Sequence, residues 1–375
     1  MSKNIMLFTL QTFSTTGGIQ KMTRTLAHAL NQLALQNNWH FNLWSAYDFD
    51  TDLLPQYLPA KNFTGFGSRV MFTLKAFLKA PKFDMVIISH INMALVGRVI
   101  KNINPKCKIW VVAHGIEVWN ELSSTKKWLL KNCDRVICVS SFTKQQVVTK
   151  HGIDADKCEV LNNSLDPFMN LPVTFNKPQY LTNRYNLADN APLLLTLTRL
   201  NAAEQYKGYE QVIKIIGNLK QTFPAIKYII AGKYDEDEKN RINKLIKTYN
   251  VEEQVLLTGF VEETELIDHF LMANLFVLPS SNEGFGIVFI EALACGLPVV
   301  CGNIDGSVDA IKNGLLGRAV NPNDLNELEK ALTEELQKPI TEAKRKELQS
   351  QCVSYFNEDN YKKKLNHLLI NEFAN

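Results

Sequence analysis

The sequence predicts an α/β chain built from two halves, each a parallel sheet covered by helices on both faces. Three observations carry this. Short, continuous apolar runs alternate with longer amphipathic stretches, the pattern of strands buried on both faces between crossover helices. The alternation breaks once, over 164–180, where Pro167, Pro172 and Pro178 fall in a stretch of little periodicity, and then resumes. The 375 residues suit two domains at roughly 100–200 residues each.

In the first half, strands are expected at 5–10, 85–89, 108–113, 135–139 and 160–161. A turn rich in Ser, Thr and Gly (14–18) leads from the first strand into an amphipathic helix over 20–36, and Ser140-Ser141 lead from the fourth into a helix from Thr143. In the second half, strands are expected at 193–198, 227–231, 255–258, 275–278 and 298–301, separated by helices at 209–222, 236–249, 263–272 and 286–294. From Asp324 onward the chain reads as mostly helical. The domains are therefore set at 1–168 and 180–354, with 164–180 as linker.

Composition narrows the function. With 46% hydrophobic and 21% charged residues the chain is an ordinary globular one. Its seven cysteines contain no C-x-x-C pair, so neither a zinc ribbon nor a redox motif is written, and reduced thiols are expected. The apolar run 5–10 is shorter than the ~7–15 residues of a secretory core, and no run approaches the ~18 of a membrane span. A cytoplasmic protein is expected, at most peripheral on a membrane. The fingerprint G-x-G-x-x-G is absent, Gly65 and Gly67 giving only a fragment of it, and so is the P-loop. A pI near 8.3 without a nucleic-acid motif argues against a nucleic-acid partner.

The net charge of +3 conceals an asymmetry. Residues 1–180 carry 20 Lys and Arg against 11 Asp and Glu, whereas 181–375 carry 21 against 27. The excess is densest over 61–82, where Lys61, Arg69, Lys75, Lys79 and Lys82 are interleaved with apolar residues and no acid occurs. From 69 to 82 the pattern is that of a basic amphipathic helix, which suits an anionic membrane surface or an ordinary packed helix with a solvated basic face.

Candidate site residues gather where strands end and helices begin, the ligand-binding edge of open α/β sheets. Gly17-Gly18 follow the first strand and open a helix whose N-terminus favours an anion. His114-Gly115 follow the third strand, with Glu117 two residues on. Arg199 and Lys207-Gly208 follow the first strand of the second half, and two cations there suit a pyrophosphate. The segment 279–298 is the most specific. Glu283 lies in a glycine loop, Gly284-Phe285-Gly286 offers backbone N–H groups at a helix start, and Glu291 sits inside the otherwise apolar helix 286–294, whose Ile287 is also a donor-binding candidate. Burying that carboxylate is costly unless donors meet it, and sugar hydroxyls are such donors. Asp48, Asp50 and Asp52 form D-x-D spacings, but in a polar stretch that does not suit a metal site, and no metal is expected.

These motifs together resemble the family 4 retaining glycosyltransferases of GT-B fold, over nearly the whole length. Glu283 and Glu291 look like the family's E-x7-E motif, and Arg199 with Lys207-Gly208 like its Arg and Lys-Gly motif. Gly17-Gly18, His114-Gly115, Val139-Ser140-Ser141 and the turn 162–166 also fit. The resemblance implies two Rossmann-like domains facing each other across a cleft, with the C-terminal helix, 355–375, returning to the first. It implies a nucleotide-sugar donor on the second domain, and no cofactor. Arg199 and Lys207 would neutralise the diphosphate, Glu291 would bind ribose, and Glu283 with Phe285 and Gly286 would orient the sugar. Gly232 and Phe260 would line the nucleobase pocket, His114 would sit near the donor sugar, Gly18 would contact the diphosphate, and Glu117 would lie on the acceptor side. The acceptor would be a glycan or a lipid-linked sugar, as in bacterial surface polysaccharide or glycolipid synthesis. A nucleotide-sugar epimerase of the same fold and a non-catalytic sugar-binding subunit are the alternatives.

Overall fold

The computed structural model describes residues 2–374 apart from Asp189 and Pro339. It divides into two compact units, one of residues up to Met169 together with the stretch from Phe356 onward, the other Asn170–Tyr355.

The first unit holds a seven-stranded sheet of β1 (Asn4–Thr9), β2 (His40–Ser45), β3 (Phe63–Gly65), β4 (Met85–Ile88), β5 (Lys108–Ala113), β6 (Arg135–Cys138) and β7 (Cys158–Val160). Its order is β3-β2-β1-β4-β5-β6-β7 and every pairing is parallel. The second unit holds β8 (Leu193–Leu197), β9 (Lys227–Ala231), β10 (Val255–Gly259), β11 (Leu275–Leu278), β12 (Val299–Gly302) and β13 (Arg318–Val320), ordered β10-β9-β8-β11-β12-β13 and again all parallel. Each sheet grows outward in one direction from its first strand and then reverses. The switch points lie between β1 and β4 and between β8 and β11, where neighbouring connections leave toward opposite faces and open a crevice.

The expected strands are present within a residue or two. Three more occur that the sequence pattern does not announce. β2 follows a helix with no punctuating Gly or Pro, and β3 and β13 are three-residue edge strands containing Thr64, Gly65, Arg318 and Ala319, so pairing with a neighbour rather than an apolar run defines them. The Pro-rich stretch is more ordered than a linker. Leu165 N–H donates to the Phe356 carbonyl at 2.8 Å. Beyond the division at Met169, Phe175 is buried and the Pro172 carbonyl accepts from Gln349 Nε2 at 3.0 Å.

The helix Glu358–Ala374 packs on the first unit, where α-helix Gly18–Gln36 also lies. Its buried Glu372 accepts from Trp110 Nε1 and Arg135 Nε, both at 3.2 Å, and pairs with Lys108 at 3.2 Å. Removing that carboxylate strands a half-buried guanidinium and an indole N–H. Glu372→Ala is therefore expected to destabilise the first unit by about 3 kcal/mol, measured as a shift of its urea unfolding midpoint at unchanged slope.

Candidate functional site

In the second unit the crevice between β8 and β11 gathers most of the expected residues. After β8 the chain passes Arg199 and a short 3₁₀ segment, Ala202–Lys207, before the helix Tyr209–Thr222. Gly208 makes the corner at φ +83°, where a Cβ would stand 2.2 Å from the Pro279 carbonyl oxygen, so only glycine lets this segment lie against the end of β11. The contact is fastened by Ser281 N–H, which donates to the Tyr206 carbonyl at 3.0 Å. The result is an ion pair between Lys207 Nζ and Glu283 Oε1, each side chain only 14% exposed. Burial disfavours the ammonium, but the adjacent carboxylate outweighs it and the Lys207 pKa is raised. Arg199 is by contrast 70% exposed and pairs with Glu204.

Glu283 is held by its backbone. Its N–H donates to Asp305 Oδ2 at 2.7 Å, its carbonyl accepts from Gly306 N–H at 2.8 Å, and Asp305 Oδ1 accepts Ser307 N–H at 2.9 Å. Asp305 is buried, and desolvation pushes its pKa up to about 7 against the lowering effect of those hydrogen bonds. Beyond the loop, Gly284 leads to buried Phe285 and to Gly286, which precedes the helix Ile287–Ala294; Ile287 and Glu291 are both buried on it. Gly232 and Phe260 follow β9 and β10. Gly232 N–H donates to the Gly259 carbonyl at 2.7 Å, and the Phe260 ring is 54% exposed beside that bond. Gly232 has φ +145° and its Cα lies against the Thr198 carbonyl, where a Cβ would be 1.7 Å away.

The first unit places the remaining residues at the ends of β1 and β5. Gly17 and Gly18 start the helix Gly18–Gln36. The preceding loop is fixed by buried Asp48, whose carboxylate accepts the N–H groups of Thr12 at 2.7 Å and Ser14 at 3.0 Å and the Ser45 hydroxyl at 2.7 Å. Asp50 and Asp52 accept backbone N–H groups of Gly65 and Phe49, both at 2.8 Å. The D-x-D carboxylates are thus engaged in shaping turns. His114 is buried after β5, and burial pushes its pKa down to about 4 despite the bond to Ser89. The neutral ring donates Nε2–H to the Ser89 carbonyl at 2.7 Å, which leaves Nδ1 as its acceptor. Glu117, expected on the acceptor side, has Oε1 accepting the His114 N–H at 2.6 Å, so it holds the strand-to-helix turn. Burial raises its pKa.

Sequence reasoning missed Glu204 and Asp305, and met Asp48 only as part of a D-x-D spacing. Glu204 carries no distinctive spacing. Asp305 lies directly before Gly306 in a turn after β12, and an acid between an apolar strand and a glycine was the available signal.

The family model described as Glycosyltransferase Family 4 matches residues 16–167, and that described as Glycosyl transferases group 1 matches 181–354. The chain belongs to the family 4 glycosyltransferases. A GDP-mannose-dependent alpha-(1-6)-phosphatidylinositol monomannoside mannosyltransferase of Mycolicibacterium smegmatis is 28% identical over 66% of this chain and 65% of its own length. The serotype-specific mannosyltransferase WbdA of Escherichia coli is 26% identical over 55% of this chain, which spans only 25% of that protein. Among solved structures, HepE of Anabaena in complex with UDP matches with a TM-score of 0.77 at 20% identity, covering 99% of this chain and 100% of that one. The fold is GT-B.

Asp305 makes a signed pH prediction. A carboxyl whose pKa rises on folding contributes stability that is full below its unfolded value of 3.8 and is lost as pH rises through about 7. Asp305→Asn carries no titrating group and leaves one backbone N–H facing an amide. The variant should melt below the wild type, with the gap narrowing from pH 4 to pH 8, as read by Tm at each pH.

Proposed function

We propose that this protein is a retaining glycosyltransferase that moves a sugar from a nucleoside-diphosphate donor to a glycan or lipid-linked acceptor. The observation that carries the reading is the buried Lys207–Glu283 pair at the β8–β11 switch point. A buried ammonium requires an anion, and a donor diphosphate is one of matching charge. The names of relatives support a donor of this class: one is GDP-mannose-dependent, and the HepE structure contains UDP.

In this reading Lys207 and Arg199 receive the diphosphate, with the exposed Arg199 turning from Glu204 to do so. Glu291 receives the ribose hydroxyls, and the Glu283 carboxylate with the backbone of Phe285 and Gly286 orients the sugar. Phe260 offers a face to the base. On the first unit, the neutral His114 ring, fixed by Ser89, presents Nδ1 as an acceptor suited to a sugar hydroxyl, and Gly17 and Gly18 open a helix N-terminus suited to an anion. As the glycosidic bond to phosphate breaks, positive charge develops on the sugar carbon and negative charge on the leaving diphosphate. Cations held in place stabilise that leaving group without reorganising, and its oxygen can take the acceptor's proton. The scheme needs no metal ion, and an anionic membrane surface is the setting for a lipid-linked acceptor.

Titration of UDP, GDP and ADP followed by thermal shift tests the donor site, since a ligand of the folded state raises Tm. One nucleoside diphosphate is expected to bind, and Glu291→Ala and Lys207→Met should each weaken it by about ten- to hundredfold while the ligand-free protein remains folded. No binding by any of them would favour a non-catalytic subunit. Turnover of a nucleotide sugar that releases nucleoside diphosphate without an acceptor would favour an epimerase. The anomeric configuration of the product by NMR decides retention.

A further inference from the structure

In the first unit the turns after β2 and β3 spend their contacts on fixing one exposed ring. Phe49 follows β2 and is 60% exposed. Its backbone is closed on both sides. It forms an antiparallel bridge with Phe66, its N–H donates to Asp52 Oδ2 at 2.8 Å, and its carbonyl accepts the Asp52 N–H at 3.0 Å. The two glycines of the G-x-G fragment, Gly65 and Gly67, seat it. Gly65 N–H donates to Asp50 Oδ1 at 2.8 Å, and Gly67 N–H to the Asp48 carbonyl at 2.9 Å. A Cβ on Gly65 would stand 2.4 Å from the Phe49 carbonyl carbon, and one on Gly67, at φ +56°, would stand 2.1 Å from Phe49 Cε1. The ring therefore rests against Gly67 and is otherwise open to solvent. A lone exposed phenylalanine is ordinary. One that two glycines and two aspartates hold in place is a surface prepared for a ligand, because the ordering cost is met before binding.

Its place and its borders select the ligand. Phe49 stands at the carboxyl end of β2, on the ligand-binding edge of the sheet. The loop ahead of the Gly17–Gly18 turn is tied to the same segment, since Tyr47 N–H donates to the Leu10 carbonyl at 2.9 Å and Asp48 takes the N–H groups of Thr12 and Ser14. Tyr47 is itself 42% exposed. Asp50 and Asp52 each spend one carboxylate oxygen on backbone, and the other has no hydrogen-bond partner among the described residues. A phosphate would meet these carboxylates as a like charge. A lipid chain or an apolar protein segment would cover the ring only by desolvating them. A neutral sugar ring suits both features. Its C–H face packs on the aromatic face, which carries partial negative charge, and its hydroxyls donate to the carboxylates. The strands β2 and β3 lie one and two places out from β1, a distance of ~5–10 Å. A glycan whose end lies at the β1–β4 crevice would therefore lay its second or third ring on Phe49.

We infer that Phe49 is the stacking platform of a subsite for a neutral acceptor glycan of two or more rings. The glycan's part as acceptor rests on the proposed transferase reading, which this narrows to an acceptor carrying a sugar chain. The platform itself rests on the geometry of Phe49, Gly65 and Gly67.

The test is binding of the full chain to an array of neutral glycans of one to four sugars, with calorimetric affinities for those retained. Glycans of two or three rings are expected to bind several-fold more tightly than the single sugar. Phe49→Ala should weaken them by about five- to tenfold, at unchanged melting temperature because the position is exposed, whereas Phe49→Trp should retain them. Gly67→Ala keeps the ring but pushes it from its seat, and should weaken binding as well. If it acts through the ring, Phe49→Ala with Gly67→Ala should bind no worse than Phe49→Ala alone. Absence of glycan binding, an affinity indifferent to the number of rings, or glycan binding that Phe49→Ala leaves intact would overturn the inference. Nucleoside diphosphate titrations on the same samples keep the two proposals separable. Failure of the glycan tests with nucleotide still bound strikes the platform alone, while absence of nucleotide binding strikes the transferase reading.

Discussion

The second unit turns on one buried ion pair. Lys207 and Glu283 come from opposite sides of the β8–β11 switch point and meet at the crevice, each largely shielded from water. Either charge alone is costly there, because removing one partner strands the other in a medium of low polarity. The surrounding architecture brings them together: the glycine corner at Gly208, the Ser281–Tyr206 hydrogen bond, and the close approach of the Lys207 segment to the end of β11. An ammonium already desolvated and fixed is a receptor for an anion that costs little reorganisation to fill.

A second layer keeps Glu283 in place. Asp305 takes its N–H while the Gly306 N–H returns to its carbonyl, so the loop's backbone is pinned from both sides and its side chain is left to face Lys207. The first unit repeats this logic with different residues. Asp48 ties down 12–14 ahead of the Gly17–Gly18 turn, and Glu117 ties the His114 backbone while Ser89 fixes its ring. In both sheets a buried acid spends its oxygens on backbone N–H groups so that a loop at a strand's end holds one conformation.

How much of this was legible follows from the kind of signal each residue leaves. Buried parallel strands are continuous apolar runs, so β1, β5, β8 and β11 were readable directly. The edge strands β3 and β13 were not, because their partners define them. Lys207, Glu283 and Glu291 stood out as charges at strand ends or within an apolar helix. Their pairing did not, since contact between residues 76 positions apart is a product of topology. Arg199 and Glu117 were legible as charges after strands, but not their partners in the fold, Glu204 for one and the His114 backbone N–H for the other. Asp48 was noticed only as part of a D-x-D spacing, and its role as a loop anchor needed the fold. The basic helix was legible as amphipathic, whereas the side it buries, Phe72 and Ala76, required the fold.

The central claim is that Lys207 is the diphosphate's cation and that Glu283 is its counter-charge in the meantime. Calorimetric titration of the nucleoside diphosphate into wild type and Glu283→Gln tests it most directly. The account predicts tighter binding to the variant by several-fold, because the carboxylate that competes for Lys207 and repels phosphate is gone. Unchanged or weaker binding in a variant that still unfolds cooperatively, at whatever melting temperature, would contradict it.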